Sequence, residues 1–288
     1  MPRRIFTFGC SFTNYYWPTW ADLILYKNNG FNLGIRGGGF DSILYRIMEA
    51  DRICKLMPDD QIIVIFTTPL RWDLIIDEVN PSWGTAGQVI TSNNTKYEGE
   101  LFCLAGLMYK SFYNIILIRD YLELRNLNYL FGSVNNLFND VGNYFENIDI
   151  GESTAGLMNY VKNNVEIKLT DFHTFLYGTE IKEWNITKYF HDTKDYHPRP
   201  LQYHKWIKNV LLNNIDINFN VIEDGIKLIE SDIDSFKYSD EVEKLNKNYP
   251  LFYKHRIDEK IYFSITKEEN LQSENLYVCL DKKERRLI

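Results

Sequence analysis

The sequence predicts a three-layer α/β/α sandwich around a central parallel sheet, carrying insertions and a C-terminal appendage. Three observations lead there. Residues 62–66, "IIVIF", form a continuous, mostly β-branched apolar run of the kind found in strands covered on both faces. Up to Phe66 the pattern reads strand, helix, strand, helix, strand, which implies parallel pairing through crossover helices. At 288 residues the chain is long enough for one substantial core with an addition.

Taken in order, "RRIFTFG" is a first strand ending in a turn. "WPTWADLILYKNNG" follows, with Trp17, Ala21 and Ile24 at helical spacing and Gly30 as a stop. "FNLGIRGGG" is a short second strand running into a glycine cluster. The next helix, "FDSILYRIMEADRICKLM", places Ile43, Ile47 and Ala50 on one face, with Asp41 or Ser42 available as its cap. After the third strand, residues 71–100 are rich in Asn, Ser, Thr, Gly and Pro and read as a long excursion, an insertion of the length functional loops have. A long helix, "LFCLAGLMYKSFYNIILIRDYLELRN", and a strand, "LNYLFGS", come next. Residues 134–190 form a second, Asn-rich irregular insertion. A polar loop then leads into a helix starting near Pro200, with Trp206, Val210 and Leu211 on its apolar side. The expected domain therefore spans residues 1–213, and 214–288 read as an appendage of uncertain fold.

A net charge of -7 argues against a nucleic-acid-binding surface, which needs clustered Lys and Arg to neutralise phosphates. The apolar run after "MPRR" is too short for a signal peptide, and no stretch reaches bilayer-spanning length, so the chain reads as soluble and cytoplasmic, with no membrane partner. Cys10, Cys54, Cys103 and Cys279 lack CxxC spacing and read as reduced thiols. The 20 Tyr and 18 Phe exceed what a small core needs, leaving rings available for a groove.

In open parallel sheets ligands bind beyond the carboxyl ends of the strands, so the loops holding Ser11, residues 32–39 and residues 67–73 are where chemistry is expected. A serine hydroxyl becomes a nucleophile only when a base takes its proton and donors await the oxyanion. Of the five histidines, His197 has the most suitable neighbours. Asp195 lies two residues before it and can fix its tautomer, and Pro198 stiffens the loop.

On these residues the chain resembles the SGNH (GDSL-type) hydrolase superfamily. "FTFGCSFT" looks like the first motif, "NLGIRGGG" like the second and "DYHP" before a helix like the last, in the family's order over roughly residues 3–212. The resemblance implies Ser11 as nucleophile, His197 as base, Asp195 as its acid partner, and the amides of Ser11 and Gly37 as oxyanion donors. It also implies a flavodoxin-like sandwich acting as a serine esterase on an O-acyl substrate, with an O-acetylated glycan as the candidate class and no cofactor or metal. Two departures stand out. "FTTPLRWD" has Pro69 near the position where the family presents an Asn, leaving Thr67, Thr68 or Arg71 as substitutes. The last motif is Asp-x-His, a spacing that also resembles polysaccharide O-acetyltransferases, so acetyl transfer is one alternative and a degenerate glycan- or protein-binding module another.

Competing readings attach to the same residues. Ser11 could be a helix cap. Residues 37–39 could cradle a phosphate, although neither GxGxxG nor a Walker pattern is present. His191, Asp192, Asp195, His197 and His204 could hold a metal, although their spacing matches no common ligand set. Cys10 could be the nucleophile in place of Ser11.

Overall fold

A computed structural model of the chain describes residues 3–75, 83–89, 104–138, 151–177, 187–221 and 223–257. Its centre is a four-stranded parallel sheet of β1 (Arg4–Gly9), β2 (Asn29–Asn32), β3 (Gln61–Phe66) and β6 (Asn128–Ser133), in the order β2-β1-β3-β6. Successive residues of β3 feed opposite layers. Ile63 and Ile65 join one apolar cluster, while Ile62, Val64 and Phe66 join the other. The continuous apolar run thus has the two-sided burial expected of it.

One layer holds α2 (Phe40–Cys54), α3 (Leu104–Leu124) and α4 (Gly151–Asn164), which bring Ile43, Ile47, Phe112, Ile115 and Val161 onto the sheet. The other holds α1 (Trp20–Leu25), α5 (Phe172–Tyr177), α6 (Pro200–Asn209) and α7 (Glu223–Ser235), through Trp20, Phe172, Trp206, Ile226 and Ile229. The fold is a three-layer α/β/α sandwich.

Several segments differ from the sequence expectation. The excursion after β3 contains an antiparallel pair, β4 (Arg71–Ile75) with β5 (Trp83–Val89), in place of a plain loop. The start of α2 is not capped by Asp41 or Ser42. Its Gly39 and Ser42 N–H groups donate to the Asp73 carboxylate of β4, at 2.7 and 2.9 Å, because β4 delivers an acceptor where the helix leaves amides unpaired. The irregular insertion includes α4, α5 and β7 (Lys188–Tyr189), which pairs with β8 (Lys194–Asp195) just beyond it.

Beyond Asn213, where the sequence left the fold uncertain, the described chain carries helices from Glu223 onward that add to the main core. Helix α7 buries Ile226, Ile229 and Ile233, and α8 (Leu245–Asn248) and α9 (Pro250–Tyr253) add Leu245 and Phe252 to the same cluster. Acidic outer faces gave the segment its appendage-like composition, while its isoleucines at helical spacing face inward. Residues 1–2, 76–82, 90–103, 139–150, 178–186, 222 and 258–288, with Cys103 and Cys279, lie outside the described residues. Among the described residues no helix is long and apolar enough to cross a membrane.

Candidate active site

The carboxyl ends of β1 and β3 lie side by side, with Gly9 opposite Ile65. At Gly9 a β-carbon would stand 2.3 Å from Thr13 Oγ1 and 2.8 Å from the Ile65 carbonyl, so the chain can turn here only without a side chain. The turn closes when Thr13 and Asn14 N–H donate to the Cys10 carbonyl at 2.8 and 3.1 Å. Cys10 points into the core, fully buried, and Ser11 stands next in line at the strand end. Its inward direction removes the thiol from the site.

Ser11 Oγ lies 2.7 Å from His197 Nε2. On the far side of the ring, Nδ1 lies 3.0 Å from Asp195 Oδ1, which also accepts the His197 backbone N–H at 2.8 Å. This double use of one oxygen explains how the two-residue spacing works. A carboxylate folded into an Asx turn bends the chain and meets the imidazole of the same residue. With Nδ1–H donating to Asp195, Nε2 keeps its lone pair for the Ser11 proton.

Other contacts fix the two loops against each other. The Trp17 indole N–H, three residues before α1, donates to the Pro198 carbonyl at 2.8 Å, joining the nucleophile loop to the base loop. Thr187 Oγ1 donates to the His197 carbonyl at 2.6 Å. Helix α6 begins just beyond, where Arg199 N–H donates to Gln202 Oε1 at 2.7 Å. Asn32, the first residue of the second motif, is fully buried and faces the nucleophile loop. Its Nδ2 donates to the Thr13 carbonyl at 2.8 Å and to Asp22 Oδ1 at 2.9 Å.

Burial lowers the His197 pKa from its ordinary value, Asp195 opposes that shift, and the Arg71 guanidinium adds to the lowering. Arg71 stands at the start of β4, and its Nε and Nη1 are buried with no hydrogen-bond partner among the described residues. The remaining expected donors surround the same strand ends. Gly37 has φ +77°, a left-handed conformation that favours glycine. Neither its N–H nor that of Ser11 meets an acceptor among the described residues. Thr67 is buried directly after β3, Thr68 is half-buried, and neither hydrogen-bonds to Ser11 or His197. The Pro69 carbonyl accepts from Ser111 Oγ at 2.9 Å, which ties that loop to α3.

Three residues near the site escaped the sequence reading. Tyr15 donates its hydroxyl to Asp195 Oδ2, and its ring stacks on His197 with centroids 3.6 Å apart and 17° between planes. Trp17 was read only as a helix-face residue. Arg256, from the end of the described chain, donates to the Tyr15 and Trp17 carbonyls and pairs with Asp22. Only proximity to "GCS" could have hinted at Tyr15 and Trp17, and nothing local marks Arg256.

A cleft of about 820 Å³ is walled by Asn14, Tyr15 and Tyr16 after the nucleophile, Ile35 and Arg36 before Gly37, and Tyr253. A hollow of about 430 Å³ shares Tyr15 and Tyr16 and reaches Asp195 and His197. The histidines and acids weighed as metal ligands diverge. His191 faces Tyr238, Asp192 accepts from Ser239, and His204 packs on Phe219. Among the described residues no group of three or more His, Cys, Asp or Glu side chains is arranged to hold a metal ion.

The fold and this cluster define a parallel α/β sandwich with a hydrogen-bonded serine, histidine and aspartate at its strand ends. No protein-family model matches the chain, and no curated protein matches it in sequence. Among solved structures it is similar to a member of the lipolytic G-D-S-L family from Veillonella parvula, with TM-score 0.41 and 14% identity over 72% of this chain and 94% of that one. It is also similar to a GDSL-like lipase from Bacteroides thetaiotaomicron, with TM-score 0.40 and 14% identity over 73% and 86%. At that identity the chemistry rests on this chain's own residues.

Proposed function

We propose that the protein is a serine acyl-ester hydrolase. The observation that carries this reading is the continuous hydrogen-bonded path from Ser11 Oγ through His197 to Asp195. His197 Nε2 takes the Ser11 proton as Oγ attacks the ester carbonyl carbon, and the carbonyl oxygen becomes an oxyanion. The N–H groups of Ser11 and Gly37, which meet no acceptor among the described residues, are its donors. Arg71, at the start of β4 just after Pro69, is the candidate for the missing donor, since its charge acts on His197. Collapse of this intermediate breaks the bond to the alcohol oxygen, which receives the proton from His197. Water, deprotonated by the same nitrogen, then attacks the acyl-serine and regenerates Ser11 as the carboxylic acid leaves.

The polar cleft walled by Asn14, Tyr15 and Tyr16 of the nucleophile loop supports an O-acylated glycan as the substrate class. Polar side chains along it, Asn14, Arg36, Asp240 and Asn246, can hydrogen-bond sugar hydroxyls, and the volume holds more than a short acyl chain.

Turnover of p-nitrophenyl acetate and of O-acetylated oligosaccharides tests the reading. Ser11→Ala and His197→Gln are expected to lower kcat/KM by on the order of 10³-fold or more. Turnover that survives Ser11→Ala unchanged defeats it.

A further inference from the structure

We infer that Tyr15 is a positioning residue of the site, holding Asp195 with its hydroxyl and the His197 imidazole with its ring, so that base and orienting acid share one fixed geometry. The inference builds on the hydrolase reading and assigns a role to a residue that reading does not use.

The geometry divides the work between the two Asp195 oxygens. Oδ1 serves His197 through both its backbone N–H and Nδ1, whereas Oδ2 accepts the Tyr15 hydroxyl. Without that donor Oδ2 would be a buried acceptor with no partner, on a residue 6% exposed. The carboxylate would then be held only by its contacts to His197, with a wider range of χ2 open to it.

The phenol ring supplies a second constraint. An imidazole hydrogen-bonded at Nδ1 and Nε2 can still rock about the axis through those bonds, and a ring stacked at 3.6 Å removes that freedom. Phe12 contacts the same imidazole, tilted at 5.0 Å, and is itself stacked on Phe172 at 6.0 Å. The imidazole is thus confined by aromatic rings and pinned at both nitrogens.

Tyr15 is anchored well enough to serve as a reference. Its carbonyl accepts from Arg256, and its ring meets Trp17 edge-on at 4.9 Å. Burial, with Asp195 alongside, raises its pKa far above the usual tyrosine value, so the hydroxyl keeps its proton and remains a donor across the working range. The charged and titratable groups around the pair are Asp195 and Arg71 for His197, and Asp195, Tyr16 and Arg36 for Tyr15.

The role has a specific electrostatic signature. A hydroxyl donating to Asp195 spreads part of the carboxylate charge away from His197. Tyr15→Phe keeps the stack and removes that hydrogen bond, leaving a more negative carboxylate at Nδ1 and raising the imidazole pKa. Tyr15→Leu also lets water reach the ring, which raises it further.

The test is the ¹⁵N-imidazole NMR titration of His197 in the full chain, assigned with His197→Gln, beside the pH profile of p-nitrophenyl acetate kcat/KM. Tyr15→Phe is expected to raise the His197 pKa by about one pH unit. It should also move the acidic limb of the profile by the same amount and lower the plateau about 10-fold. Tyr15→Leu should exceed Tyr15→Phe in all three respects. An unchanged His197 titration in Tyr15→Phe overturns the inference, as does a loss of rate with no movement of the limb. Tyr15→Phe decides alone if Tyr15→Leu does not fold. The titration needs no substrate, so a wild-type chain without turnover counts against the hydrolase reading while Tyr15 is still decided.

Discussion

Replacing Arg256 with Met separates the last described residues of the chain from the nucleophile loop. The Arg256 guanidinium donates from Nε to Asp22 Oδ1 at 2.8 Å, from Nη2 to Asp22 Oδ2 at 2.6 Å and to the Trp17 carbonyl at 3.0 Å, and from Nη1 to the Tyr15 carbonyl. Asp22 is fully buried, and the Arg256 side chain is 14% exposed. Removing one member of such a pair leaves a buried carboxylate without its countercharge and costs about 3–5 kcal/mol. The upper end is not exceeded, because Asp22 keeps Asn32 Nδ2 at 2.9 Å and Thr19 N–H at 2.7 Å as donors. With a urea slope near 3 kcal/mol/M for a chain of this size, the unfolding midpoint should fall by about 1–2 M. Met keeps most of the apolar stem, so packing loss is small. Asp22→Asn in the Arg256→Met background should recover part of the loss, since the stranded charge causes most of it. Urea unfolding followed by tryptophan fluorescence measures both. A loss below about 1 kcal/mol, the range of an exposed pair, would refute the reasoning.

Three further outcomes follow from the same geometry. Asp195→Asn should fold normally, because the Tyr15 hydroxyl can rotate to accept from the new amide, yet lower kcat by on the order of 10³–10⁴-fold through loss of the charge facing the imidazolium; matched thermal unfolding and steady-state kinetics check it. Acidification should destabilise the chain between pH 6.5 and about 4. Burial lowers the His255 pKa to about 4, so the unfolded state takes up a proton the folded state refuses, at a cost of up to about 3 kcal/mol, and His255→Gln should flatten the decline in urea midpoints. Cys10→Ala should keep esterase activity while costing about 1 kcal/mol of stability, and native protein should resist iodoacetamide at Cys10, which mass spectrometry of the labelled peptides would show.

The sequence made legible what is encoded in local spacing. The run at residues 62–66 marked a strand buried on both faces, and Ser11, Asp195 and His197 stood out because a nucleophile turn and an Asp-x-His loop are short patterns. Tyr15 was opaque because its partner, Asp195, is 180 residues away and its stack exists only once two loops meet. Arg256 was opaque for the same reason, compounded by an acidic segment whose isoleucines turn inward. Asp73 read only as part of the long excursion because nothing nearby shows that β4 carries it to the unpaired amides of α2. The oxyanion side stands between these cases. Gly37 has a left-handed turn conformation, and Arg71, whose charge acts on His197, has two buried nitrogens without a partner among the described residues, yet which groups meet the oxyanion depends on a bound acyl group.

The central claim is that Ser11 is a nucleophile activated by His197. Its most direct measurement is reaction with a fluorophosphonate at pH 8, followed by intact-mass analysis and peptide mapping. The account predicts one stoichiometric adduct on Ser11, absent in Ser11→Ala and slowed by orders of magnitude in His197→Gln. No adduct in the wild type, or an equal adduct in Ser11→Ala, would contradict it.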